Sequence, residues 1–490
     1  MRTHRRHLTV LAVPLLVLAL LATACGSDSS SDSGGGDGEQ ATADLPPCPV
    51  DALDSATEPV EVVLWYQLLG NAADTLEAMA ADYNASQDKV RVRPELQGAS
   101  YDELLRKYEQ GIPSGELPQL VVAEDTATKF LIDSGTVIPA QSCFDADGLD
   151  TSGFVAATAN HYTVDGALWP ATASTSDILT YYNKNHFTRA GLDPEDPPGT
   201  LEEVRQVAQS IKDAGVVDTP VVLKLDSWFI ETQLTGSGQP LVNNDNGYGP
   251  DETTEATYDT PDTEAILDWI SSMTADELLL AVPNTDGVID HYLAMASQNA
   301  SITLETSTAA TTIESFLGGD TSIAQGAVEN EDVDTSGLDI AAAPVFGVDE
   351  PGQVGVGGNA FYITSTSTDA EQAGAWDFMK WWNEPAQQTR WHVDGSYLPF
   401  LASVVDEPEV QAFWNDTLAG GFLEIAWNEL AESTDPEFTG ALIGPYDKFR
   451  VILRDMLDAI AIDDADPTTA LQDAVQASDE ALQRYNDTNF

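Results

Sequence analysis

Aromatic rings and carboxylates lying just beyond short apolar runs are the residues of this 490-residue chain best suited to chemistry. Trp65 and Tyr66 close the run Val60 to Gln67, Tyr101 opens an amphipathic segment, and Glu124 and Asp125 follow the run Gln119 to Ala123. An aromatic face covers the apolar C–H side of a polyhydroxylated molecule, while carboxylates accept its hydroxyl hydrogens. With Trp228, the set suits capture of a sugar or polyol without bond-making. Core packing is the competing role for any aromatic, and it is assigned to Trp269, Trp376, Trp381 and Trp391, in or beside predicted helices. Tyr101, Trp228 and Tyr397 stand at helix edges or in loops and are assigned to the ligand.

The letters that enzymes need are missing. There is no G-x-S-x-G elbow, no H-E-x-x-H, and no Lys after a Gly, so a phosphate-binding P-loop is absent. Past the N-terminal segment the histidines are His161, His186, His291 and His392. Asn243 to Gly247 lacks the carboxylates of a calcium loop and reads as a turn. No catalytic residue, metal site or cofactor is expected. Carboxylate pairs are too common in so acidic a chain to single out a glycosidase pair, and a secreted glycosidase stays as an alternative class.

These residues need a scaffold that brings strand ends together. Val60 to Gln67, Val90 to Leu96 and Gln119 to Ala123 read as strands, and Ala72 to Asn84 and Tyr101 to Gln110 as helices. That alternation predicts a mostly parallel sheet with helices on both faces and ligand beyond the carboxyl ends of the strands. Thr200 to Glu203 reads as a capping box, with Thr200 on the amide of Glu203 and Glu203 reaching back, and Gly215 ending the helix. Further helices are predicted at Thr263 to Met273, Ala370 to Trp382, Val410 to Leu418, Tyr446 to Ile460 and Pro467 to Tyr485.

The formal charge is −61, and no Lys or Arg occurs between Lys224 and Lys380. Such a field disfavours nucleic acid and anionic membrane as partners and leaves few cations for a phosphate. Arg2, Arg5 and Arg6, an apolar stretch from Leu8 to Ala22, and Ala22-Thr23-Ala24-Cys25 read as a signal peptide over residues 1–24. Cleavage before Cys25 resembles a lipoprotein signal, although Ala22 stands where Leu is usual; a plain secretory signal is the alternative. Residues 25–47 read as a flexible tether. Cys48 and Cys143 remain as an even pair in an exported chain, which favours a disulfide over two buried thiols.

Two longer stretches carry a family pattern. His161 to Pro198 runs through a turn at Val164, Asp165 and Gly166, then Pro170, a β-rich run Ile178 to Tyr182, and a loop with Asn183, Lys184, Gly191, Pro197 and Pro198. Val354 to Trp391 is followed by Gly395, Tyr397, Leu398 and Pro399, with Ser396 inserted. In this order they resemble the family-one extracellular solute-binding proteins of ABC importers, and within them the glycerol phosphate binding branch.

The resemblance implies an α/β, two-lobe periplasmic-binding-protein fold of type II, with mixed sheets flanked by helices and a ligand cleft between the lobes. Lobe one would hold 48–171 and 356–402, and lobe two 172–355 and 403–490. The lobe crossings would lie near Pro170 to Ser174, Gly352 to Gly358 and Phe400 to Val404. Matching the branch places ligand contacts on Tyr101, Glu124 or Asp125, Ser176 or Thr175, Ser307 or Thr306, Gly358 beside Gly357, and Tyr397, with Trp228 nearby. An Arg used by the branch falls near Leu442, which argues against phosphate and for an uncharged carbohydrate or polyol. Implied partners are ABC permease subunits and a lipid anchor on the outer face of the cell membrane, for an exported monomer. A binder of glycerol phosphate or a glycerophosphodiester, and a ligand-sensing lipoprotein, are the alternatives.

Overall fold

A computed structural model of the chain describes residues 45–285, 290–318, 337–433 and 439–488. The signal peptide, Cys25 and nearly all of the tether lie outside them. The strands in chain order are β1 (Val60–Tyr66), β2 (Val90–Leu96), β3 (Leu120–Glu124), β4 (Thr163–Val164), β5 (Ala167–Leu168), β6 (Thr172–Ser176), β7 (Ile178–Asn183), β8 (Val221–Leu225), β9 (Leu279–Pro283), β10 (Ile302–Thr306), β11 (Ile340–Ala343) and β12 (Gly357–Ile363). One sheet runs β2-β1-β3-β12-β6 and a second β11-β7-β10-β8-β9; β4 and β5 pair as a separate hairpin. Both sheets are mixed. β1 is parallel to β2 and β3 while β12 is antiparallel to β3 and β6, and β8 is parallel to β9 and β10 while β7 is antiparallel to β10 and β11. This is the two-lobe α/β architecture.

Sequence pattern accounts for the local structure. β1 buries Val60, Val62, Leu64 and Tyr66 at every second position, as a period of two requires. The helix Asp369–Trp382 lies close on that strand because Gly374 has no side chain to hold it off Val60 and Val62. The β4–β5 turn is made by Asp165 and Gly166, both with positive φ, at 52° and 77°, as a tight hairpin prefers. Cys48 and Cys143 are joined in a disulfide, with Cα atoms 4.9 Å apart, across 95 residues.

Four local expectations shift. β6 is hydrogen-bonded to β12 in the first sheet and β7 begins in the second at Ile178, so the first crossing is at Asp177 rather than Pro170 to Ser174. Asn183, Lys184 and Gly191 are not a loop: Asn183 caps the amide of Asn185, a helix Lys184–Ala190 follows, and Gly191 ends it at φ 79°. Past Phe400 the chain stays with lobe one, where the Trp414 indole of the Pro408–Asp416 helix bonds His392; the Leu418–Glu432 helix then packs on β7 through Phe422 and Tyr181. The third crossing therefore comes later than Phe400 to Val404. At Thr200 the cap on Glu203 forms at 3.2 Å, but Glu203 reaches the amide of Gly199 instead of that of Thr200, which lies bridged to Gly347.

Candidate functional site

The carboxyl ends of the parallel strands of both sheets open on one cleft of about 390 Å³. From lobe one, β1 delivers Gln67, β2 leads to Tyr101, and β3 ends in Glu124 and Asp125. From lobe two, β8 delivers Lys224, Asp226 and Trp228, β9 leads to Asn284, and β10 ends in Glu305 and Thr306. Ser176, Gly357 and Gly358 form the floor where the lobes join, and Tyr397, Arg450 and Arg454 complete the wall.

On the first wall, Ser100 caps the helix Tyr101–Gly111 and so fixes Tyr101 at its first turn. The Tyr101 hydroxyl accepts from Asn359 Nδ2 at 3.1 Å and is hydrogen-bonded to Tyr397. Burial, followed by the neighbouring Tyr397, holds the Tyr101 phenol protonated well above its usual range. Tyr397 stacks on Trp391 with ring centroids 5.3 Å apart. His392 Nε2 accepts from the Trp414 indole at 2.8 Å, so its proton sits on Nδ1 and is donated to the Tyr397 carbonyl at 2.8 Å. Four residues outside the cleft thus hold one cleft-lining ring.

On the second wall, Asp226 caps the amide of Trp228 at 3.1 Å, accepts from Asn284 at 3.0 Å and pairs with Lys224 at 3.4 Å. Glu305 accepts from His291 Nε2 at 2.7 Å and from the amide of Thr306 at 2.8 Å. Trp228 presses on the floor, because a Cβ on Gly357 would come within 2.6 Å of its ring. Gly358, at φ 111°, leaves no room either, since a Cβ there would stand 2.1 Å from the Ser174 carbonyl. Only glycine fits such a backbone at such an approach.

Arg450 joins the walls. It projects from the helix Tyr446–Ala461, packed on lobe two, and its Nη1 donates to Glu124 at the end of β3 in lobe one. Its Nη2 lies 3.4 Å from Glu231 Oε2, and its guanidinium stands 5.5 Å over the Tyr446 ring. The Tyr446 hydroxyl donates to the same Glu231 at 3.1 Å.

Residues 78–417 match the family profile described as bacterial extracellular solute-binding protein. The chain belongs to that family. Sequence relatives include the sn-glycerol-3-phosphate-binding periplasmic protein UgpB of Yersinia pestis biovar Antiqua, 24% identical over 436 residues, 88% of this chain and 94% of the relative. Among solved structures, the cyclic α-maltosyl-1,6-maltose binding protein of Arthrobacter globiformis superposes with TM-score 0.67 at 22% identity, covering 87% of this chain and 100% of that one. UgpB of Mycobacterium tuberculosis, in complex with glycerophosphocholine, gives 0.68 at 17%, covering 88% and 100%. As a solute-binding protein of the family-one ABC-importer group, this is an exported, non-enzymatic binder of a small polar molecule that works with membrane permease subunits.

Of the residues predicted for the site of this solute-binding protein, Tyr101, Glu124, Asp125, Ser176, Trp228, Thr306, Gly357, Gly358 and Tyr397 line the cleft. Four others do not. Trp65 is half-buried with its indole on Glu95 at 3.2 Å, and Tyr66 is buried with its hydroxyl on Glu77. As successive strand residues they point to opposite faces of the sheet, Trp65 toward β2 and Tyr66 toward the helix Gly70–Ser86, and neither side chain lines the cleft. Thr175 points to Thr158 at 3.2 Å, and Ser307 is fully buried, exchanging backbone and hydroxyl bonds with Asp177 at the crossing. Leu442, expected to mark a lost phosphate partner, is buried against Gly247 outside the cleft. Sequence reasoning missed Lys224, Asn284, Glu305 and Arg450. In a chain so poor in cations, a Lys at the end of an apolar β-branched run and an Arg inside an apolar helical face were signals that could have found two of them.

Proposed function

We propose that the cleft takes a glycerol phosphate or a glycerophosphodiester and that the loaded protein delivers it to its permease. The observation that carries this reading is Arg450, a guanidinium lining the cleft, with Lys224 and Arg454 on the same lining. A guanidinium offers the paired N–H geometry that phosphate oxygens match, and a phosphate would compete for it with Glu124 and Glu231, which pair with it. The Leu442 argument for an uncharged ligand is met by this guanidinium eight residues further along the chain. Hydroxyls of a glycerol moiety would find Tyr101, Tyr397, Ser176 and Thr306, and its carbon edge the Trp228 face. The Yersinia relative is named for sn-glycerol 3-phosphate and the Mycobacterium structure holds glycerophosphocholine, which supports the same class.

A carbohydrate is the second reading, favoured by one feature. The cleft sets Asp102, Glu124, Asp125, Asp226, Glu305 and Asp447 against three cations, an excess of hydroxyl acceptors over anion partners. In either case closure would pivot about Asp177, and the ligand would favour the closed form only by binding it better than the open one. The mature chain would be held to the outer face of the cell membrane through a lipid on Cys25, with 26–47 as tether.

Calorimetric titration with sn-glycerol 3-phosphate, glycerophosphocholine, glycerol and maltose separates the readings. The phosphorylated probes should bind, and Arg450→Lys should weaken them about tenfold or more, because an ammonium cannot reproduce the forked geometry. Binding of maltose alone would overturn the proposal.

A further inference from the structure

Behind Arg450 lies a second, small cavity of about 20 Å³, whose lining includes Asp125, His161, Glu231, Tyr446 and Arg450. Three buried polar atoms with no hydrogen-bond partner among the described residues belong to this wall: His161 Nε2, Glu231 Oε1 and Arg450 Nε. The last two stand 3.4 Å apart without the alignment of a hydrogen bond. Buried polar atoms left this way are rare, and a shared cavity between them points to what is needed. Roughly 10–15 Å³ of such space is enough for one water, which typically makes about three hydrogen bonds.

The three groups divide their roles as a water requires. His161 Nδ1 faces the Thr439 carbonyl at 2.8 Å, and a carbonyl only accepts, so the ring proton is on Nδ1 and Nε2 carries a lone pair. Burial pushes His161 down to about 4, which keeps that lone pair free at neutral pH. Glu231 Oε1 accepts as well, and Arg450 Nε–H donates. We propose that this cavity holds one structural water that donates to His161 and Glu231 and accepts from Arg450, which makes His161 a positioning residue for the guanidinium. With the Nε edge fixed from behind, Nη1 is held on Glu124 at the cleft and Nη2 beside Glu231.

The ligand part of the test rests on the phosphate reading; the water itself does not. A high-resolution crystal structure of the mature chain should show one ordered water within hydrogen-bond distance of the three atoms, and a dry cavity would overturn the proposal whatever the ligand proves to be. In His161→Phe the water should be lost and the affinity for sn-glycerol 3-phosphate should fall about tenfold, with glycerol binding unchanged. His161→Gln restores an acceptor near the Nε2 position and should recover most of that loss. Equal losses for charged and uncharged probes, or a Gln variant no better than Phe, would reduce His161 to a packing residue and sink the positioning role. If the unaltered protein binds no phosphorylated probe, the functional reading fails, while the water and its loss in His161→Phe still decide this inference.

Discussion

The two walls of the cleft treat the same kind of side chain in opposite ways. Burial pushes Asp125 of lobe one well above the ordinary aspartate range, since its nearest cation, Arg450, is shared with Glu124 and Glu231. Glu124 is also raised by burial, but less, because Arg450 touches it directly. Burial raises Glu305 of lobe two as well, yet Lys224 first, then His291 and the Thr306 amide, outweigh it and bring it down to about 2. The difference teaches where charge is fixed. The second wall carries a carboxylate with its own lysine and a histidine hydrogen bond, and the first wall carries carboxyls that compete for one guanidinium and phenols held by neutral hydrogen bonds. The cleft therefore carries a permanent charge pattern on one side and an adaptable donor and acceptor set on the other.

The largest effect that tests this contrast is in acid. Glu305 has a folded pKa below its unfolded value of 4.5, so its contribution is complete above 4.5 and is lost as pH falls through about 2. A shift of this size corresponds to about 3 kcal/mol. Glu305→Gln should be less stable than the unaltered protein by about that much at pH 7, and thermal melts of the two should converge toward pH 2. A gap that stays constant from pH 5 to 2 would mean that packing, and not charge, separates the walls.

A smaller effect of opposite sign is expected across the cleft. Asp125 has a raised folded pKa, so its contribution is complete below the unfolded value and is lost as pH rises through the folded one. Asp125→Asn should therefore melt higher at pH 7, by on the order of 1 kcal/mol, while ligand affinity falls, the usual exchange between a binding site and stability. A variant no more stable than the unaltered protein at pH 7 would show that Arg450 satisfies all its carboxyl neighbours, and the contrast between the walls would collapse.

How far these walls could be read in the sequence follows from the range of the forces that make them. β1 and the helices Gly70–Ser86, Tyr101–Gly111 and Pro467–Asp487 were legible because apolar spacing and caps are local. Tyr101, Glu124 and Asp125 were legible because strand ends gather at one edge of such a sheet. Glu305 and His291 lie 14 residues apart and meet Lys224 only after β8 and β10 pair, so nothing local marks them. Trp65 and Tyr66 failed for a related reason, since Glu95 on β2 and Glu77 on the helix Gly70–Ser86 hold them only once those elements pack on β1. Arg450 was hidden by length, 326 residues from the Glu124 it contacts.

The smallest effect lies within the first wall. Tyr397 is held by its ring stack on Trp391 and by its backbone carbonyl on His392, while its hydroxyl bonds Tyr101 and Asn359. Tyr397→Phe keeps the stack and removes only the hydroxyl, so the melting temperature should change little. Loss of one neutral hydrogen bond, roughly 1 kcal/mol, should weaken the ligand about fivefold. Because no ion is involved, that factor should be the same at low and high salt, whereas the cost of Lys224→Met on the second wall should shrink as salt rises. A Tyr397→Phe penalty as salt-sensitive as that of Lys224→Met would show that the first wall is electrostatic after all, and that its phenols act by orienting Arg450 rather than by meeting the ligand themselves.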